Sequence, residues 1–212
     1  LLKHYNVDLE YPMKQTCCGQ PQANGGFQYM SEPLIEKYEE MFKKYDYVVA
    51  PSASCAAFVR CFHPEIMKGK MECTTAKKTM DVVEFLHDVL KVKEVPGKFP
   101  HKVSVHNSCH GVRELGLSVP SERHLAPFNK IIDLLRLVEG IDIHEPERKD
   151  ECCGFGGLFS VEEPDVSIRM GEDKIKHHMD TGAEYVTGPD SSCLMHMAGI
   201  AKREEMPIKF IH

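Results

Sequence analysis

Tyr185-Val186-Thr187-Gly188-Pro189-Asp190-Ser191-Ser192-Cys193 repeats, without a gap, the pattern of Tyr47-Val48-Val49-Ala50-Pro51-Ser52-Ala53-Ser54-Cys55. In each stretch a short aromatic and β-branched run reads as a strand. A proline-bearing turn stops it and a cysteine follows at once. Working outward, more of the chain falls into the same register. Cys17-Cys18-Gly19 answers to Cys152-Cys153-Gly154, and Glu32-Pro33 to Glu163-Pro164. Leu1-Leu2-Lys3 followed by Val7 to Pro12 answers to Leu134-Leu135-Arg136 followed by Ile141 to Pro146. One unit is therefore written twice.

Strands alternate with helical patterns in each copy, which predicts an α/β fold. Each unit is a small, mostly parallel sheet with flanking helices and right-handed crossovers. The first unit is expected over 1–99 and the second over 100–212, with Pro96-Gly97 to Pro100 as the link. In copy one, strands are predicted at Val7–Tyr11 and Asp46–Ala50. Helices are predicted from Pro33, over Ala56–Met67 with a break near His63-Pro64, and over Thr74–Val92. In copy two, strands are predicted at Lys102–His106, Gly140–His144, Tyr185–Thr187 and Ile208–Ile211, with helices over Pro127–Val138, Glu163–Asp180 and from about Cys193. Ligands of such sheets sit beyond the carboxyl ends of the strands. Cys55, Cys109 and Cys193 each follow a strand there.

Composition narrows the chemistry. The 212 residues suffice for a substantial core, and 26 basic against 32 acidic side chains give a net charge of −6 with no basic stripe. That excludes a nucleic-acid binder built on electrostatics. No apolar run approaches the ~20 residues of a membrane span, and no stretch has the pattern of a secretory signal. Nine cysteines, in a chain too large to need staples, favour metal binding over disulfides and a reducing, cytoplasmic location.

Two adjacent cysteines point to opposite faces of an extended chain, so aiming both sulfurs at one object requires a sharp turn. The glycines Gly154, Gly156 and Gly157 permit it. Copy two offers Cys109, Cys152, Cys153 and Cys193 from three strand-end loops. A lone zinc is usually gripped by Cys-x2–4-Cys pairs, and the chain has no Cys-x-x-Cys. Neighbouring cysteines reach two irons of a cluster more easily than one small ion, so iron–sulfur fits better and zinc stays open. The amides of Gly154, Gly156 and Gly157 are candidate donors to cluster sulfur. Copy one offers Cys17, Cys18 and Cys55, one ligand short. Repeat spacing places the counterpart of Cys109 roughly two dozen residues before Leu1, so a chain opening on Leu1-Leu2-Lys3 reads as truncated, with a strand missing from copy one.

A buried free-thiol pair on a glycine turn is the plainer reading of either CCG. Two pairs in register across a repeat argue against it. Cys61 and Cys73 have no counterparts and read as packing residues. His106, His110 and His196 flank the ligand set, a position where histidine more often hydrogen-bonds than ligates. Ser54 and Ser192 lack the Gly-x-Ser-x-Gly elbow, and no Gly-x-Gly-x-x-Gly or Walker sequence occurs. No acid–base pair marks a catalytic centre.

Four strings resemble a known family: Gln15-Thr16-Cys17-Cys18-Gly19-Gln20-Pro21, His106-Asn107-Ser108-Cys109-His110-Gly111, Cys152 to Ser160, and Ser192-Cys193-Leu194-Met195-His196. They are similar to the cysteine-rich CCG domain found in heterodisulfide reductases and in glycolate oxidase iron–sulfur subunits. Taken in order they resemble the lactate utilisation protein A group, over essentially the whole chain. The resemblance implies an iron–sulfur electron-transfer subunit that works with partner subunits in oxidising L-lactate, or a related 2-hydroxy acid such as glycolate, to the 2-oxo acid. It implies a 4Fe–4S cluster on Cys109, Cys152, Cys153 and Cys193, and leaves zinc open at the first site. A zinc-bearing assembly subunit and a heterodisulfide reductase-like subunit are the alternatives. The CCG chain of that reductase carries Cys-x-x-Cys where this chain has Cys193-Leu194-Met195-His196, which counts against its five-cysteine cluster and its disulfide chemistry. No DNA binding is expected at physiological salt; a salt-sensitive, micromolar gel shift on duplex DNA would contradict the charge argument.

Overall fold

The computed structural model describes all residues, Leu1–His212. Six short strands form two parallel sheets. β1 (Val48–Ala50) pairs with β2 (Thr79–Asp81), Val49 opposite Met80. β3 (Lys102–Val105), β4 (Asp142–His144), β5 (Tyr185–Thr187) and β6 (Lys209–Phe210) lie in the order β4-β3-β5-β6. Val103 is opposite Ile143 on one side and Tyr185 on the other. The fold is α/β as the repeat predicts.

β3 is central, and Val103, Ser104 and Val105 are all buried. A strand covered on both faces by helices shows this instead of alternation. The one polar member, Ser104, is satisfied by His178 Nδ1 at 2.7 Å from its hydroxyl. Under copy two, Ile175, Val186, Met197 and Ile200 form one apolar cluster. A second cluster joins the copies, with Ala53, Ala56 and Ala57 packed against Val105, Leu117, Ile131 and Ile132. Each of the valine, leucine, isoleucine and methionine side chains contributes about 1.5–3 kcal/mol by leaving water, and each alanine less.

Two expectations for copy one fail. Val7–Tyr11 forms no strand, and Tyr11 is 71% exposed. Its counterpart, β4, exists by bonding to β3, and copy one contains no strand equivalent to β3 beside which 7–11 could pair. The helix expected over Thr74–Val92 is broken. Ala76–Lys78 is a 3-10 turn, Thr79–Asp81 is β2, and helix begins only at Val82. Pairing with β1 outweighs the helical spacing, and Asp81 with Glu84 closes a capping box that fixes the new start. The helix expected from Ala56 begins earlier, at Ala53. It passes Pro64 through a wide π-turn at Phe58–Phe62, which accommodates the missing amide.

The copies are tied by one carboxylate. Asp190 Oδ1 accepts from the Ser52 hydroxyl at 2.8 Å and the Ser54 amide at 2.9 Å, at the start of the helix that carries Cys55. Asp190 occupies the repeat position of Ser52, and the Ala53 amide donates to Pro189 O at 3.1 Å.

Nearby, Asp81 is fully buried and one of its oxygens has no partner. Burial pushes its carboxyl up from 3.8 to about 7, and the charge of Asp190 adds to the effect. Between those values the native chain holds a proton that the unfolded chain has lost. Stability therefore falls as pH rises through that window and stays reduced above it. Asp81→Asn keeps the cap without the charge. It is expected to exceed the parent in unfolding free energy by about 1–3 kcal/mol at pH 8, with the gap closing toward pH 4. His178, held down to about 2 by burial, gives both proteins the same opposite slope, which cancels in the difference. A pH-independent gap in urea melts would contradict the assignment.

Candidate metal centre

The carboxyl ends of β3, β5 and β4 deliver the four cysteines of copy two. Cys109 opens the helix Cys109–Arg113, whose N-cap Ser108 accepts from the Gly111 amide at 3.2 Å. Cys193 lies in the first turn of the helix Ser191–Arg203. Cys152 and Cys153 stand in the loop after β4, turned by Gly154, Gly156 and Gly157, whose φ values are 87°, 53° and 65°. A Cβ on Gly154 would lie 2.5 Å from the Ser167 carbonyl oxygen, so only glycine fits the approach of this turn to the helix Pro164–Met179. The Ser167 hydroxyl donates to Gly154 O at 2.8 Å.

The four thiols adjoin one another in the order Cys109, Cys152, Cys153, Cys193. Cys152 is held down to about 2 by the Cys109 thiol and then by Cys153, and its sulfur accepts from the Gly154 amide at 3.4 Å. Cys193 is held at about 6, chiefly by the Cys153 thiol. Cys109 and Cys153, as the donating thiols, are pushed up. The crowding thus favours proton loss from Cys152 and Cys193 over Cys109 and Cys153, and His106 acts in the same direction on Cys193. This donor set suits a thiophilic metal or cluster.

Copy one follows the same plan incompletely. Cys18 and Cys55 adjoin, Cys55 held at about 6 chiefly by the Cys18 thiol, while Cys17 is exposed. Gly19 (φ 96°) makes the turn, and the Ser31 hydroxyl donates to its carbonyl at 2.8 Å. His63 Nε2 lies 2.9 Å from Cys18 O. Cys73 is buried in the apolar cluster with Ile35 and Phe58, and Cys61 is half-buried outside both sites.

The three flanking histidines separate. His110 lies 3.9 Å from Cys109 Sγ and 3.3 Å from Gln20 Nε2, bridging the two CCG regions. His196 packs on Phe155 with its Nε2 3.3 Å from Ser167 O, behind the glycine turn. His106 is wholly buried, and one of its ring nitrogens lies within 4.8 Å of the sulfurs of Cys153 and Cys193. Sequence reasoning missed Lys174. Its side chain is buried and its ammonium donates to Arg148 O at 2.6 Å, anchoring the loop that leads into Cys152. Burial lowers its pKa to about 8. Ser167, Gly171, Lys174, Ile175 and His178 are buried at helical spacing, so periodicity marks Lys174 as inward.

The family profile of the cysteine-rich domain, CCG, matches residues 1–60 and 103–198. The chain belongs to this CCG family. It is 38% identical, along its whole length and 84% of the relative's, to lactate utilization protein A of Halalkalibacterium halodurans. It is 35% identical to the protein of that name in Oceanobacillus iheyensis, again over 84% of the relative. With the protein of that name in Lysinibacillus sphaericus it shares 37%, over 90% of the relative.

The turn explains the glycine of a CCG sequence. Gly154→Ala is expected to lower stability by about 2–4 kcal/mol, from left-handed strain and the clash with Ser167. Gly157→Ala has only the strain, since the nearest neighbour of its Cβ would be Asn24 Nδ2 at 4.0 Å, and about 1 kcal/mol is expected. Equal losses in thermal melts would show that the close approach to Ser167 does not matter.

Proposed function

We propose that this chain is a metal-bearing, electron-carrying subunit of a system that oxidises L-lactate to pyruvate. The observation that carries the chemistry is the convergence of four thiols at three adjacent strand ends. The relatives' name supplies the lactate. An iron–sulfur cluster of the 4Fe–4S type on Cys109, Cys152, Cys153 and Cys193 would supply one-electron carriage between a donor and an acceptor on partner subunits. The residues themselves hold and insulate it. Gly154 donates an amide to sulfur, Lys174 fixes the loop, and the cluster of Ile175, Val186 and Ile200 closes the inner side. Glycolate or another 2-hydroxy acid remains a substrate within the same chemistry. No helix is long and apolar enough to cross a membrane. We assign the chain to the cytoplasm on its cysteine usage.

A zinc-bearing assembly subunit is the second reading. It is favoured by the 4.8 Å grouping of His106, Cys153 and Cys193, close to the spacing of donors on a single tetrahedral ion. The same reading extends to copy one, where Cys17, Cys18 and Cys55 offer three thiols.

The chain purified without oxygen with its partner subunits tests the proposal. Brown colour that bleaches on adding L-lactate is expected, and Cys193→Ser should lose most of its iron together with thermal stability. A colourless preparation holding stoichiometric zinc, with lactate oxidation intact, would reverse the choice.

A further inference from the structure

We infer that His106 is a metal ligand, so that the centre of copy two is a mixed imidazole–thiolate site in which His106, Cys153 and Cys193 close on one ion. The inference deepens the second, zinc-bearing reading of this centre and rests on it. It does not depend on lactate.

His106 follows β3 directly. Its backbone amide donates to Thr187 O at 2.8 Å, and a Cβ on Gly188 would stand 2.6 Å from its carbonyl oxygen. The ends of β3 and β5 are therefore locked together at this residue, and its ring has little freedom to leave the site. It is 1% exposed, and neither ring nitrogen has a hydrogen-bond partner. A buried polar atom left so costs about 1–3 kcal/mol. Such an orphan calls for a partner, and the nearby donor atoms are the two buried sulfurs, all three within 4.8 Å of one another. Metal–sulfur bonds of about 2.3 Å and metal–nitrogen bonds of about 2.0–2.1 Å place tetrahedral donors roughly 3.5–3.8 Å apart. Closing by about 1 Å is within side-chain reach, and the ion satisfies the nitrogen and both sulfurs at once.

His178, also buried, packs edge-on against His106 at 5.9 Å between ring centroids, and its Nδ1 is spent on Ser104. Cys153 and Cys193 form an inner pair with His106. Cys109 and Cys152, both half-buried, are the candidates for the fourth donor. Three protein donors closing on one ion describe a lone zinc-class cation, because an iron of a 4Fe–4S cluster is held by its sulfides and has one position for a protein ligand.

The test uses the full chain, stripped of metal under anaerobic conditions. One arm is loaded with Zn2+ alone and the other with iron and sulfide, and X-ray absorption is recorded at the metal edge. Parent protein is expected to show imidazole scattering at about 2.0–2.1 Å beside sulfur at about 2.3 Å in the zinc arm. His106→Asn should lose that scattering and at least tenfold in metal affinity, whereas His106→Cys should restore affinity with an all-sulfur shell. Circular dichroism of the stripped proteins establishes that the variants fold. If His106→Asn fails to fold, His106→Cys carries the comparison, since it too must lose the nitrogen. An all-sulfur shell in the zinc-loaded parent, or nitrogen scattering that persists in both variants, overturns the inference and leaves the electron-carrier reading standing. Failure of both arms to load overturns both. A nitrogen-bearing centre that lactate does not reduce upholds the inference and overturns the proposed function.

Discussion

Parallel registration of β4, β3 and β5 is the constraint on which the site depends. Val103 is held opposite both Ile143 and Tyr185, so the chain leaves three neighbouring strands at one level and its next loops meet at one place. Cys109, the Cys152-Cys153 pair and Cys193 are those loops' contribution. No single loop could bring these thiols together, because adjacent cysteines diverge unless the backbone reverses. Gly154 supplies the reversal, Ser167 and Lys174 hold it, and apolar packing beneath β5 keeps it from relaxing.

Within residues 1–212, copy two has four strands and four site cysteines, and copy one has two strands with Cys18 buried, Cys55 half-buried and Cys17 exposed. In copy two the cysteine at position 109 arrives on β3. Asp190 links the halves at the point where they differ most. The repeat position that holds a serine in copy one holds a carboxylate in copy two, and it caps the Cys55 helix across the junction.

Most of this architecture is legible in the sequence. The ungapped match of Tyr47–Cys55 with Tyr185–Cys193 is a local pattern, and local patterns set strand, turn and helix start. What escaped was non-local. Val7–Tyr11 alternates correctly yet stays unpaired, because a strand needs a neighbour as well as a pattern. Thr79–Asp81 sits within helical spacing yet pairs with β1, although Asp81-x-x-Glu84 already marked a helix beginning there. Cys152, Cys153 and Cys193 were legible from repeat position, and Cys109 from its place just after a strand. His106 was legible only as a neighbour of Cys109, since nothing in the sequence states that both its nitrogens would be buried without partners. Lys174 and Asp190 were missed for the same reason: each acts on a segment remote in the chain.

The account stands on the claim that copy two holds a metal centre of its own that does not depend on Cys18. Metal and acid-labile sulfide counted per chain in anaerobically purified parent, Cys153→Ser and Cys18→Ser proteins test it most directly. The account expects one centre in the parent, its loss in Cys153→Ser, and its retention in Cys18→Ser. Equal loss in both variants, or a metal-free parent whose four copy-two thiols react freely with a thiol reagent in the native state, would contradict it.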